Sequence, residues 1–334
     1  MIKAEKIYVV CPANSKTGGP ELLHQLAHEL TQTGHKAFIV YTGIYNHNYK
    51  IIDEYSKYID SYLLPNEIED NKGNVVIVPE TNVLFLKAYE HIQKAIWWLS
   101  VDNFYFTYKS LSAMRIWVES CGILRAIKNN SFKMKPILSM DSRMIREIPY
   151  HLCQSQYAME ECRRHGLNVL YLSDYLNASF LDEDAACTRT MKQNIVAYNP
   201  KKGYRFTSRI IQSNPVIKFI PIKDMTRDQV RDLLNKAKVY IDFGNHPGMD
   251  RIPREARMQG CIVITGKNGS ANYFEDVPIE EKFERKTKNI KPISELIKSV
   301  FLDYEYWDKK QSGYTTFIKG QRDRFSEDVR IIFE

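Results

Sequence analysis

Twice along this chain a short apolar strand pattern runs into a polar, glycine-bearing loop and then into a helix pattern, and that repeat restricts the fold more than any other feature. In the first half, residues 6–11 (KIYVVC) are β-branched and aromatic, the loop PANSKTGGPE follows, and Leu22, Leu23, Leu26, Ala27 and Leu30 recur at helical spacing. Gly34 stops this helix, and 36–41 (KAFIVY) reads as the next strand. Strand, crossover helix and strand in that order form a parallel pair with a right-handed connection. Further strands are expected at 75–78, 95–99 and 168–172, the last preceded by the helix pattern CQSQYAMEECRRHG. The theme restarts with strands at 194–198, 216–221, 239–243 and 261–266. Between the second and third of these lies a helix at 226–236, opened by Thr226 with Asp228 and Gln229 in its first turn. The alternation predicts an α/β protein of two doubly wound, Rossmann-like domains facing a cleft.

With 334 residues, at roughly 150 per domain, two domains are expected. The reading places a first domain at 1–175, a second at 176–315, and a C-terminal helix at 316–334 crossing back to the first, with a hinge near 172–192. A content of 44% hydrophobic and 26% charged residues excludes disordered, collagenous and disulfide-scaffold classes. The six cysteines (Cys11, Cys121, Cys153, Cys162, Cys187, Cys261) lack metal-ligand spacing and read as reduced core residues. No apolar run reaches the roughly 18 residues of a membrane span, and the charged start MIKAEK is unlike a signal sequence. A cytoplasmic protein is expected, with peripheral contact at the inner membrane face left open. Three N-x-S sequons, at Asn129, Asn177 and Asn268, carry no meaning in such a chain.

Charge is distributed unevenly: residues 1–175 carry 19 basic against 18 acidic side chains, the remainder 28 against 22. The surplus suits a solvated face, an anionic membrane or a polyphosphate ligand, so the motifs must choose. Gly18 and Gly19 stand just before a helix, where backbone N–H groups and the helix dipole favour an anion, or where they merely shape the turn. The loop is not GxGxxG. Glu80 and Asp102 follow predicted strands, so they would meet the glycine loop at one sheet edge. Trp97 and Trp98 precede Asp102 and would raise its pKa toward the range of a general base; the alternative is that Asp102 caps a helix. LDED at 181–184 resembles a metal-binding DxD but lacks a strand end, and reads as a solvated acidic turn.

In the second half, Lys201 and Lys202 with Gly203 sit where a phosphate would meet a helix start, unless they form a surface turn. The densest chemistry is GNHPGMDRIPREARMQG after the strand at 239–243. Pro253 is expected at the first helical position, Glu255 in the first turn and Gly260 at the stop. Around that helix start, Arg251 and Arg254 suit a diphosphate and Glu255 a ribose hydroxyl, with His246 and Asp250 close by. Gly269 and Ser270 would open another helix and offer a second set of free N–H groups. His246 is the only histidine beyond residue 165 and lies in an irregular loop, suited to contacting a phosphate or sugar.

At these residues the chain resembles the GT-B glycosyltransferases of the group 1 (family 4) type. Their Gly-Gly loop is matched by Gly18-Gly19, their basic Lys-Gly by Lys202-Gly203, and the second glutamate of their paired-glutamate motif by Glu255-Ala256 with the apolar strand behind it. Where the pattern has its first glutamate this chain has Pro247, followed by the expected Gly248, and the arginine upstream of the lysine is absent from VAYNPKKG. The resemblance implies a hexosyltransferase-like enzyme that moves a sugar from a nucleotide-diphosphate sugar, UDP-sugar being favoured, to a saccharide or lipid-linked acceptor. A setting in bacterial surface polysaccharide synthesis goes with it. It further implies Glu255 on ribose, Lys202 on the diphosphate, the glycine loop near donor phosphate or acceptor, and neither metal nor cofactor. Asp102 acting as a base would instead imply inversion of the sugar linkage, with His246 as the second catalytic candidate. Two rivals stand beside this reading. One is a nucleotide-sugar epimerase or hydrolase of the same fold using Glu80 and Asp102. The other is a non-enzymatic scaffold binding polyanions or membranes through the basic tail after residue 284. Nucleic acid is not expected as a partner, since no recognition motif supports it.

Overall fold

The computed structural model describes residues 1–110, 114, 118, 123, 127, 135–177, 180–181, 192–284 and 287–333. Cys121, Cys187, Asn129, residues 182–184 of LDED and most of the expected hinge lie outside the described residues. The chain forms two units, Met1–Asp174 with Asp323–Glu334, and Tyr175–Arg322.

The first unit runs β1 (Ile7–Pro12), α1 (Gly18–Gln32), β2 (Ala37–Thr42), β3 (Val75–Pro79), β4 (Gln93–Trp98), α2 (Val101–Thr107), α3 (Arg143–Arg146), β5 (Tyr150–Cys153), α4 (Gln156–Arg164) and β6 (Val169–Tyr171). Its strands are all parallel in the order β2-β1-β3-β4-β5-β6, with Ile7 paired to both Ala37 and Val75. Helices cover such a sheet on both faces, so its inner strands are continuously apolar, and every residue of β3 is buried. β5 is the strand the sequence reading left unassigned. Trp97 and Trp98 are core residues: Trp97 Nε1–H donates to the Leu172 carbonyl (3.2 Å), and Trp98 Nε1–H to His151 Nδ1 (3.2 Å).

The second unit runs β7 (Gln193–Tyr198), α5 (Tyr204–Gln212), β8 (Lys218–Pro221), α6 (Arg227–Lys236), β9 (Ala237–Asp242), α7 (Arg251–Met258), β10 (Ile262–Gly266), β11 (Lys282–Phe283), α8 (Lys291–Leu302), α9 (Tyr304–Lys310) and α10 (Ser312–Lys319). The last helix, α11 (Gln321–Phe333), begins here and passes into the first unit at Asp323. There the Asp328 carboxylate accepts from the Ser173 backbone and hydroxyl. The second sheet is parallel, in the order β11-β10-β9-β7-β8. α6 opens with the reciprocal cap written in its sequence. Gln229 N–H donates to Thr226 Oγ1 (3.3 Å) and Thr226 N–H to Gln229 Oε1 (2.8 Å), a device worth about 1 kcal/mol. Cys11, Cys153, Cys162 and Cys261 are buried and unbridged. No described helix is long and apolar enough to cross a membrane.

Candidate functional site

In the second sheet the chain leaves β7 toward β8 on one side and leaves β9 toward β10 on the other. The crevice at the carboxyl ends of β7 and β9 is therefore the topological switch point, where open α/β sheets take their ligands. Two loops meet there, 199–203 after β7 and 243–250 after β9. Gly203 has φ +62° and a Cβ on it would stand 2.3 Å from the Phe243 carbonyl oxygen; a Cβ on Gly244 would stand 2.2 Å from Lys202 Cβ. These glycines let the two backbones close on each other.

The closure places Lys202 over Asp250, with Nζ 2.7 Å from Oδ2. His246 Nδ1 lies 3.0 Å from the same oxygen, and His246 Nε2 lies 3.8 Å from Asp242 Oδ1. Asp242 is fixed in turn, Oδ1 accepting from Gly244 N–H (2.8 Å) and Oδ2 from the Tyr240 hydroxyl (3.0 Å). Burial works against a charged imidazole, yet Asp242 and Asp250 outweigh it and raise the His246 pKa above its ordinary value. Burial likewise opposes ionisation of Asp250, but Lys202 and His246 overcome it and hold the carboxyl at about 2. Asp242, His246 and Asp250 are close enough together to contact one metal ion. Lys201 is exposed, and its backbone N–H donates to Asn199 Oδ1.

α7 begins two residues earlier than its sequence suggests, with Asp250 as N-cap. Pro253 is consequently the third helical residue, where its missing N–H is still one of the unbonded four, and Glu255 falls in the second turn rather than the first. Arg251 Nε is 3.6 Å from Glu255 Oε1, linking the first turn to the second on one face of the helix. Arg254 lies inside the unit. Its guanidinium is 1% exposed and donates to the Met249 carbonyl (2.7 Å), the Asp250 carbonyl (3.4 Å) and Gln321 Oε1 (2.9 Å), so it braces the loop from inside. Gly269 and Ser270 form a short 3-10 turn, and Ser270 N–H is spent on the His246 carbonyl (2.8 Å). Ser270 Oγ donates to the Gly248 carbonyl (2.6 Å), and a Cβ on Gly269 would lie 2.0 Å from the His246 oxygen. The sequence reading missed Arg257, whose guanidinium is buried against Asp308 (2.6 Å) as a second internal brace.

In the first unit, α1 starts at Gly18, at the carboxyl end of β1. A Cβ on Gly19 would meet only Leu99 Cδ1, at an ordinary 3.7 Å. The loop before it is tied by the Tyr55 hydroxyl, which donates to the Ser15 carbonyl (3.1 Å) and lies 3.4 Å from that of Thr17, and by Asn14 N–H donating to the Tyr49 hydroxyl (3.0 Å). These tyrosines went unnoticed in the sequence because they are spread over an irregular segment with no period. Glu80 is buried and accepts the Leu99 N–H (3.0 Å); desolvation pushes its carboxyl up to about 7 despite further bonds from backbone N–H groups and Asn103. Asp102 is 1% exposed at the start of α2, and its Oδ1 accepts from the Tyr157 hydroxyl of α4 (2.6 Å). This carboxylate joins two helices of its own unit.

The chain matches no known family model and no curated protein. It is similar to solved structures. HepE of Anabaena, in complex with UDP-glucose, superposes with a TM-score of 0.59 at 10% identity, covering 98% of each chain. BGT of phage T4, in complex with its UDP-glucose substrate, gives 0.56 at 10% identity over 98% of each chain. An alpha-glucosyltransferase in complex with UDP and a 13-mer DNA gives 0.55 at 10% identity, over 98% of this chain and 100% of that one. The fold is that of the GT-B glycosyltransferases.

Proposed function

We propose that this chain transfers a sugar from a nucleoside-diphosphate sugar to an acceptor, with its second unit binding the donor. The observation that carries the reading is the switch point of the second sheet, where a partly exposed Lys202 pairs with Asp250, the N-cap of α7, the helix that bears Arg251 and Glu255. Lys202 takes the diphosphate, helped by Arg251, and Glu255 takes a ribose hydroxyl. Asp250 pairs with Lys202, and His246 lies against the same carboxylate oxygen. Stabilising the charge that develops on the diphosphate as the glycosidic bond breaks lowers the barrier with no covalent nucleophile on the protein. The GT-B fold, shared with proteins solved with UDP or UDP-glucose, supports this donor class and favours UDP as the base-bearing half.

For the acceptor we favour a saccharide or a lipid-linked saccharide, which would place the chain in surface polysaccharide synthesis. A fold neighbour was solved with DNA, so a base-modified duplex belongs among the acceptors tried. A thermal-shift panel of UDP, GDP, ADP, CMP and their sugars at fixed salt tests the donor assignment, because a ligand that binds only the folded state raises its stability. A shift confined to one nucleotide and lost in Glu255→Ala supports it. Release of free sugar with no acceptor present would favour an epimerase or hydrolase on this fold. Salt-sensitive binding to anionic vesicles with no nucleotide shift would favour a scaffold.

A further inference from the structure

We infer that Asp250 is a built-in stand-in for the ligand's phosphate on Lys202, and that His246 is the second cation that holds Asp250 when Lys202 turns to a diphosphate. The inference rests on the donor-site reading above and assigns positioning roles that reading leaves open. Its basis is one carboxylate oxygen shared by two cations from different loops: Asp250 Oδ2 lies 2.7 Å from Lys202 Nζ and 3.0 Å from His246 Nδ1. The two cations differ in freedom. The Lys202 side chain is 34% exposed, whereas that of His246 is 1% exposed, so only the lysine can swing toward a ligand. Its pivot is fixed, because Gly244 sits against Lys202 Cβ where any side chain would collide, which leaves the terminal carbons to carry the movement.

His246 is held by its backbone and by burial, its ring nitrogens facing carboxylates on both sides without a formal hydrogen bond. Its carbonyl accepts Ser270 N–H and packs on Gly269, and its far ring nitrogen faces Asp242, whose oxygens are already engaged by Gly244 and Tyr240. Asp242 thus stands behind the ring, and the ring, whose pKa the two aspartates raise, stands behind Asp250. Without that second cation, departure of Lys202 would leave a largely buried carboxylate unpaired, which is costly. With it, Lys202 exchanges one anion for another of higher charge. A dianionic phosphate or a diphosphate can displace Asp250; a ligand carrying a single carboxylate gains nothing over the resident one.

The test is calorimetric titration of the full chain with UDP and with inorganic pyrophosphate at neutral pH and fixed salt. The proteins are the wild type, Lys202→Ala, Asp250→Asn, His246→Gln and the Asp250→Asn/His246→Gln double variant. Asp250→Asn should tighten pyrophosphate by about three- to ten-fold, since the competitor for Lys202 is gone, and His246→Gln should weaken it by a similar factor. In the Asp250→Asn background His246→Gln should change affinity by less than about two-fold, a cancellation that general structural support by the ring would not produce. Weaker or unchanged binding in Asp250→Asn, or the same loss from His246→Gln in both backgrounds, overturns the inference. If His246→Gln fails to fold, the sign of the Asp250→Asn effect decides alone. A wild type that binds neither ligand, or a Lys202→Ala that binds as well as wild type, removes the donor site itself and the inference with it. A site that stands while Asp250→Asn has the wrong sign sinks the inference alone.

Discussion

Lys202 Nζ rests 2.7 Å from Asp250 Oδ2, although the two residues follow different strands of the second sheet and lie 48 positions apart. The pairing exists because Gly203 and Gly244 let the loops after β7 and β9 touch, and it puts a lysine at the sheet's switch point. The donor assignment depends on this arrangement.

On the proposed donor site, removing either Lys202 or Glu255 should weaken the nucleotide without unfolding the chain. Lys202→Ala and Glu255→Ala are each expected to raise the Kd for the preferred nucleotide about ten-fold or more, near 1.4 kcal/mol, as charge-assisted contacts are lost. Calorimetry on variants whose melting temperatures match wild type checks this, and Arg254→Lys serves as a contrast. That exchange should lower stability first, because the guanidinium is bonded to Met249, Asp250 and Gln321 inside the unit.

The glycines at the loop junctions should be intolerant in proportion to what a Cβ would meet. Gly203→Ala and Gly269→Ala place a methyl 2.3 Å and 2.0 Å from backbone oxygens, and a loss of about 2–4 kcal/mol is expected at each. Gly43 also has positive φ, at +85°, but nothing within 4 Å, so Gly43→Ala should cost only about 1 kcal/mol. Denaturant melts of the three variants measure the difference, and equal losses would contradict the steric account.

Asp102 should prove structural. Asp102→Ala leaves the Tyr157 hydroxyl without its acceptor and should destabilise the fold by about 1–3 kcal/mol, with nucleotide affinity unchanged. Asp102→Asn keeps an acceptor, and turnover per folded molecule should stay within about two-fold of wild type. A loss near 100-fold in kcat would restore this residue as a general base.

Glu80 should give the first unit a pH-dependent stability. Its carboxyl rises from 4.5 to about 7 in the folded chain, so between these values the folded state binds a proton the unfolded state has released. Stability from this group is complete below 4.5 and is lost as pH rises through 7, by about 3 kcal/mol from a shift of that size. Melts of wild type and Glu80→Gln across this window should differ in slope, the variant being flatter. Parallel profiles would contradict the assignment.

The sequence disclosed the two parallel sheets because strands buried on both faces are unbroken apolar runs, and it disclosed the cap of α6 because Thr226 and Gln229 stand three apart. It hid β5, four residues in which His151 interrupts the apolar pattern. It grouped Arg251 with Arg254, but which of two arginines on a short helix points inward depends on where the helix begins. Asp250, not Ile252, proved to be the residue before the first turn. The Ser270 N–H looked free for a ligand because its acceptor, the His246 carbonyl, comes from a loop 24 residues earlier. Local spacing records helices and strands. The contacts between loops that decide which polar groups remain for a ligand are set by tertiary closure.

The most direct test of the donor assignment is calorimetric titration of UDP onto the wild-type chain and onto Lys202→Ala at one fixed salt concentration. The account predicts saturable one-to-one binding to wild type, about ten-fold or more weaker in the variant. Absence of binding by UDP, and by GDP, ADP and CMP in the same format, would contradict it.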